Sequence, residues 1–428
     1  MEETWYKLDN AAKIYPAIRE TNWAPVFRID AVLKEKVHPE ILQKALNITY
    51  RRFPTFSVHF TKGLFWYYFE PNECEPEVRM ESDYAAAPFS EEKDKGYLFR
   101  VLYYNRRISL EVFHSITDGF GATVFLKTLI FNYITSLNGE EPIKEALDLD
   151  RYNIFHYKDL PSAEETEDSF FHVAASEDKL NLKESIAFKI KGTPIKRNTL
   201  KVLHVIVSVN SLKVAANKFN ATVTEFLTAL FIHSVLNARI YHPGEKKPIK
   251  ISVPINLRKR FASKTVRNFS SYVNVEYKPE VEADNVNLEE ICREVSRQIR
   301  EGTEISALRS KFSGNVNAEK NILMRLAPLF LKNLVLKANF SLYGERITTS
   351  TLSNIGNLTL PVEMIKYIDR FDFVLGAPRE NVFNCAVISF NDVMSISFTS
   401  TILENTVTKS FTDSLVSYGI SVSVEANY

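Results

Sequence analysis

Cysteine is scarce: Cys74, Cys292 and Cys385 are the three in 428 residues, widely spaced and without a Cys-x-x-Cys pair. An odd, scattered set argues against a disulfide scaffold or a zinc ribbon. Charge imbalance is missing too. The chain carries 53 Lys and Arg against 52 Asp and Glu, net +1, which gives no electrostatic case for nucleic acid or a charged membrane surface. Met1-Glu2-Glu3-Thr4-Trp5 opens acidic, without the basic flank and apolar core of a signal peptide. Long apolar runs are absent as well. The most apolar stretch, near Leu323 to Ala338, is interrupted by Arg325, Pro328, Lys332 and Lys337, short of the roughly 18 uninterrupted residues of a bilayer span. A cytoplasmic protein with no membrane span is expected. No phosphate loop or serine nucleophile elbow occurs, and Gly119-Phe120-Gly121 lacks the third glycine of a dinucleotide fingerprint, Val124 standing there.

What is present is an ordinary globular composition, 45% hydrophobic and 25% charged, in a chain longer than one hydrophobic core usually supports. Val26 to Leu33 reads as a strand, and His38 as the N-cap of a helix with Pro39 at its first position. Phe56 to Phe60 and Leu64 to Phe69 flank a Thr-Lys-Gly turn, as Phe99 to Tyr104 and Ile108 to Phe113 flank Asn105-Arg106-Arg107. Both read as hairpins. From about 148 to 199 periodicity fades, and the acidic run Asp159 to Asp178 reads as a surface connector, partly ordered by Phe170, Phe171 and the nearby Tyr157. Val202 to Val209 opens a second strand–helix series, with a Thr222–Glu225 capping box and Gly419 closing the last helix. Strand–helix–strand order in both halves suggests two α/β lobes.

The chain is organised around Ile108 to Gly119. Ile108, Leu110 and Val112 alternate with Ser109 and Glu111, the pattern of a half-buried strand. His114 follows at its end, then Asp118-Gly119, then an apolar helix to about Leu137. A histidine delivered from a strand end into a tight turn is a frequent setting for a general base. The other histidines show no ligand-like spacing, and no metal site is expected.

Phe113-His114-Ser115-Ile116-Thr117-Asp118-Gly119 resembles the His-x-x-x-Asp-Gly signature of the chloramphenicol acetyltransferase-like superfamily. Phe113 replaces the first of the two histidines usual in condensation domains, so the form is more similar to stand-alone, CoA-dependent members such as alcohol acetyltransferases. The resemblance implies an α/β fold of two similar lobes, with mixed and antiparallel sheets, flanking helices and an active-site channel between them. The expected division is an N-terminal lobe over 1–150, a crossover over 151–200 and a C-terminal lobe over 201–428. It further implies an acyltransferase that moves an acyl group, acetyl first, from a CoA thioester to an alcohol or amine, with no bound cofactor and acyl-CoA as co-substrate. His114 would be the general base. Asp118 would pair with an arginine, Arg258 ahead of Arg28, and Gly119 would let the backbone turn. Arg258 lies in Pro254-Ile255-Asn256-Leu257-Arg258, which resembles a second-lobe segment of the family, as does Ser353-Asn354-Ile355-Gly356, where Ser353 or Asn354 could donate to an oxyanion. Lys259, Arg260, Lys264 and Arg267 either meet CoA phosphates or form a solvated basic loop. The alternatives are transfer from a carrier-protein thioester, or a non-catalytic binding protein of the same fold.

Overall fold

The structure is a computed structural model and describes residues 5–20, 23–138, 148–175, 184–238, 245–278, 287–320, 325–377 and 379–427. Among these, the two larger of three β-sheets form the two lobes of a mixed α/β architecture, the third being a small one of Tyr6–Lys7, Tyr67–Pro71 and Val58–Lys62. The first has five strands in the order Ile368–Leu375, Val26–Leu33, Arg107–Phe113, Phe99–Tyr104, Val78–Met80. All its pairings are antiparallel except the last, which is parallel. The second has seven: Ser270–Tyr277, Ile249–Asn256, Ser350–Leu358, Phe383–Phe390, Val393–Ser400, Lys201–Ser208, Ser423–Ala426. Its Ser350–Leu358 strand runs parallel to both neighbours, so this sheet is mixed.

Both expected hairpins form, over Val58–Lys62 with Tyr67–Pro71 and over Phe99–Tyr104 with Arg107–Phe113. Pro39–Arg52 is a helix with proline at its start, but His38 contributes only extended backbone, since its side chain makes no cap bond. Thr222 and Glu225 close their capping box around Val223–Asn237. Gly419, at φ +80°, ends Thr406–Ser417 in the left-handed conformation that glycine adopts without steric cost. Contrary to the reading of Leu323 to Ala338 as the most apolar stretch, it is the helix Gly119–Leu137 that is long and apolar enough to cross a bilayer, yet 83% of its apolar window is buried inside the protein. Its apolar circumference is explained by burial along most of its length, with Phe125 packed against Phe53, Phe56 and Phe99.

Three features depart from the sequence reading. The strand Ile368–Leu375, late in the chain, pairs with Val26–Leu33, so the first sheet is built from both ends of the sequence. The connector, expected on the surface and only partly ordered by its aromatics, is tied to both halves of the chain. Phe170 is buried edge-on to Phe269 and Phe312, the Glu165 carboxylate meets Arg52 at 2.8 Å, and the Glu165 carbonyl accepts from Val266 N–H. It thereby straps one lobe to the other; residues 176–183 of it lie outside the described residues, as do Leu323 and Met324 of the Pro328-interrupted stretch, whose helix begins at Leu329.

The third departure is the motif strand, which is buried on both faces, not one. Its polar face is covered by 81–94, and Glu111 is fully enclosed, accepting from Arg28 Nε and Arg100 Nε at 2.6 Å each and from Ala86 N–H. Burial pushes the Glu111 carboxyl up, but the two guanidiniums outweigh it and hold the group below the usual range. Glu111→Ala removes the carboxylate shared by two buried guanidiniums, leaving Arg28 with Glu81 and Arg100 with Asp94, and should cost about 3 kcal/mol at neutral pH. A carboxylate held low stabilises above its unfolded pKa and loses that contribution as pH falls through the folded one. The stability gap between wild type and variant, followed by chemical denaturation, should therefore close below about pH 4.

Candidate active site

His114 follows the last residue of the motif strand, and its N–H donates to the Pro25 carbonyl at 2.9 Å. The imidazole is stacked on Tyr15 (centroids 4.9 Å apart, 23° between planes) and meets the edge of Phe27. Its Nδ1 lies 3.0 Å from Asn268 Oδ1. The tautomer follows from the far side of that amide. Asn268 Nδ2 donates to Asp9 Oδ2 at 3.1 Å and to the Ser115 carbonyl at 3.4 Å, both acceptors, so the amide oxygen faces the ring and Nδ1 carries the hydrogen. Nε2 is left with its lone pair and has no hydrogen bond among the described residues. Asp9 is completely buried; burial pushes its carboxyl up, opposed by Arg267 and by the N–H groups of Ala12 and Asn268.

Asp118 caps the motif helix. Its Oδ1 accepts from Phe120 and Gly121 N–H at 3.1 and 3.2 Å, satisfying two donors that a helix start leaves open. Its Oδ2 takes Arg258 Nη1 and Phe269 N–H, both at 2.8 Å, from the other half of the chain. Arg258 is saturated: Nε donates to the Thr265 carbonyl, Nη2 to that of Arg267, and its plane lies 4.5 Å over Phe120. Arg28, the rival partner, belongs to the Glu111 network, bonded also to Glu81. Gly119 has no positive φ, and a Cβ there would press only on Ile355 at 3.3 Å. The demanding glycine is Gly121, where a Cβ would fall 1.9 Å from the Val266 carbonyl oxygen. Backbone approach from the second half, invisible in the motif itself, sets that requirement.

These groups border a cavity of about 670 Å³ between the two halves of the chain. Its wall takes in His114, Asp118, Phe120, Arg258, Ser353 and Phe373. The two oxyanion candidates differ. Asn354 is engaged, its Nδ2 on Thr224 Oγ1 and its Oδ1 on Gly356 N–H. Ser353 lines the cavity with no side-chain hydrogen bond among the described residues. Of the basic loop, Lys259 borders the cavity, Lys264 pairs with Glu164 in solvent, Arg260 reaches Thr303, and Arg267 is buried on the Lys7 and Thr166 carbonyls. Asn268, Asp9 and Tyr15 escaped the sequence reading, since no spacing or periodicity marks residues that reach His114 across 154, 105 and 99 positions.

No protein-family model matches the chain, and no curated protein matches it in sequence. Solved structures do match in fold. F. graminearum TRI101, crystallised with coenzyme A and T-2 mycotoxin, superposes with a TM-score of 0.61 at 12% identity, over 98% of this chain and 99% of that one. The trichothecene 15-O-acetyltransferase TRI3 of Fusarium sporotrichioides gives 0.59 at 11% identity, over 96% and 94%. The first condensation domain of the calcium-dependent antibiotic synthetase gives 0.59 at 13%, over 97% and 96%. At these identities the likeness establishes a shared two-lobe fold along nearly the whole chain.

The Asp118–Arg258 pair can be tested by a double-mutant cycle. Asp118→Ala and Arg258→Ala each leave a buried charge alone and should each cost about 3–5 kcal/mol. The double variant should cost clearly less than their sum. Denaturation midpoints of the four proteins measure the coupling, and additive losses would show the pair to be independent.

Proposed function

We propose that the protein is an acyltransferase, moving an acyl group, acetyl in the simplest case, from a CoA thioester to an alcohol or amine held in the cavity. The reading rests on one observation: His114 borders the cavity with Nδ1 anchored to Asn268 and Nε2 unoccupied. A neutral imidazole fixed in that tautomer is a base aimed at its ligand. Nε2 takes the proton of the acceptor hydroxyl or amine as that atom attacks the thioester carbonyl. The carbonyl oxygen becomes an oxyanion, for which the free Ser353 hydroxyl is the available donor, an interaction worth about 3 kcal/mol in comparable sites. The tetrahedral intermediate then collapses, the C–S bond breaks, and the imidazolium returns its proton to the thiolate. Tyr15 and Phe27 fix the ring plane through both protonation states.

A covalent acyl-enzyme has no support in the cysteines. Burial pushes the Cys292 thiol up to about 12 and the Cys385 thiol higher still, so neither presents a thiolate, and Cys74 sits on the surface away from the cavity. Direct transfer within a ternary complex is the economical scheme. The fold likeness to structures that include one crystallised with coenzyme A is consistent with a thioester donor.

The decisive assay is free-thiol release from a panel of acyl-CoAs, with and without simple alcohols and amines. Acceptor-dependent release is expected. His114→Ala should lower kcat by about 10²-fold or more without loss of fold. Asn268→Ala should lower kcat less, with KM little changed, because the ring is freed rather than removed. Full activity in the His114 variant would refute the mechanism. Initial rates with both substrates varied should give intersecting double-reciprocal lines; parallel lines with a trapped acyl-protein would reject the ternary complex.

A further inference from the structure

One buried charge bordering the cavity has no counter-ion. The motif helix lines the cavity with Gly119, Phe120, Thr123, Val124 and Lys127, spaced i, i+1, i+4, i+5, i+8, a single helical face. Lys127 ends that face, 5% exposed, with one hydrogen bond, to the Tyr152 carbonyl. An ammonium has three hydrogens to place. No carboxylate among the described residues lies near enough to hold its charge, and burial alone pulls the amine down to about 8.

The other charges along the wall are accounted for. Asp118 and Arg258 neutralise each other, the Glu345 carboxylate accepts from the Arg379 and Asn381 N–H groups, and Lys259 is exposed. Next to the Tyr152 carbonyl stands Asn153, in a left-handed conformation at φ 51°, bordering the cavity with no side-chain hydrogen bond among the described residues. A buried cation without a partner is costly, and a cavity wall is where a ligand can supply one. We propose that Lys127 and Asn153 form an anion subsite at this end of the cavity, which takes a carboxylate or phosphate group of a bound substrate. Along the helix axis the subsite lies about 13 Å beyond Asp118, nine residues at ~1.5 Å each. As a determinant of substrate class it rests on the acyl-transfer reading; as a binding site it can be measured without catalysis.

The test is calorimetric titration of the full chain with two matched pairs: CoA against pantetheine, which lacks the nucleotide phosphates, and octanoate against 1-octanol. Wild type should favour the anionic member of one pair, and Lys127→Met should weaken that member by about 10-fold or more while leaving its neutral counterpart within about 2-fold, as expected for loss of one charge-assisted contact. Lys127→Arg should retain the preference. A CoA-specific loss places the donor's phosphates at Lys127; an octanoate-specific loss places a carboxylate of the acyl group or acceptor there. The Met variant should melt no lower than wild type, since it removes an uncompensated buried charge; if it fails to fold, Lys127→Gln takes its place. Absence of anion preference in wild type, or a preference untouched in the Lys127 variants, overturns the subsite. Thiol release scored on the same proteins keeps the two failures apart: transfer without anion preference rejects the subsite alone, and anion preference without transfer rejects the acyl-transfer reading alone.

Discussion

The Asp118 carboxylate is the junction on which the site depends. One oxygen holds the start of the motif helix, and the other reaches the second half of the chain through Arg258 and Phe269 N–H. Being 4% exposed, it works where water competes little for its lone pairs. The position of His114, four residues earlier, is fixed at one end by the strand and at the other by this junction. Arg258 in turn collects three carbonyls of the 265–269 segment, and that same segment carries Asn268 to the imidazole. A single ion pair therefore sets both the turn that presents the histidine and the loop that orients it.

The histidine's own segment, 107–118, is served by two remote ones: 9–15 supplies Asp9 and Tyr15, and 256–269 the arginine and the amide. An amide in place of a carboxylate at Nδ1 fixes the tautomer without adding charge beside the ring. Asp9 stands one hydrogen bond further back, balanced by Arg267 at 3.8 Å. Such a chain of donors and acceptors is stable only when each member is satisfied, and here each link has its partner.

The first sheet also buries charge away from the cavity. Its polar face is buried yet charged, with Arg28, Arg100 and Glu111 meshed among Glu81 and Asp94. Paired burial of this kind contributes modestly to stability but penalises any arrangement that separates the partners. That penalty holds the motif strand in register between Val26–Leu33 and Phe99–Tyr104. Apart from that network, Asp372 pairs with Arg370 and ties the first sheet to the second by accepting from Ser395 at 2.6 Å.

The sequence by itself determined what depends on neighbours within a few residues: the motif strand and its helix, the hairpins, the Thr222–Glu225 capping box and the stop at Gly419. Asp118-Gly119 stands just before the apolar helical run, and an aspartate that close to His114 already demanded a cation. Tertiary structure decided everything that spans the two halves. It closed the Asp118–Arg258 contact that the sequence reading favoured, moved the demanding glycine from 119 to 121, brought Asn268 and Asp9 behind the imidazole, returned Ile368–Leu375 to the first sheet and left Lys127 unpaired at the cavity. The reason is physical. Helix caps and turns are closed by bonds between residues three or four apart, whereas these contacts join residues separated by 140 or more positions, whose meeting is set by how two sheets and a strap pack together.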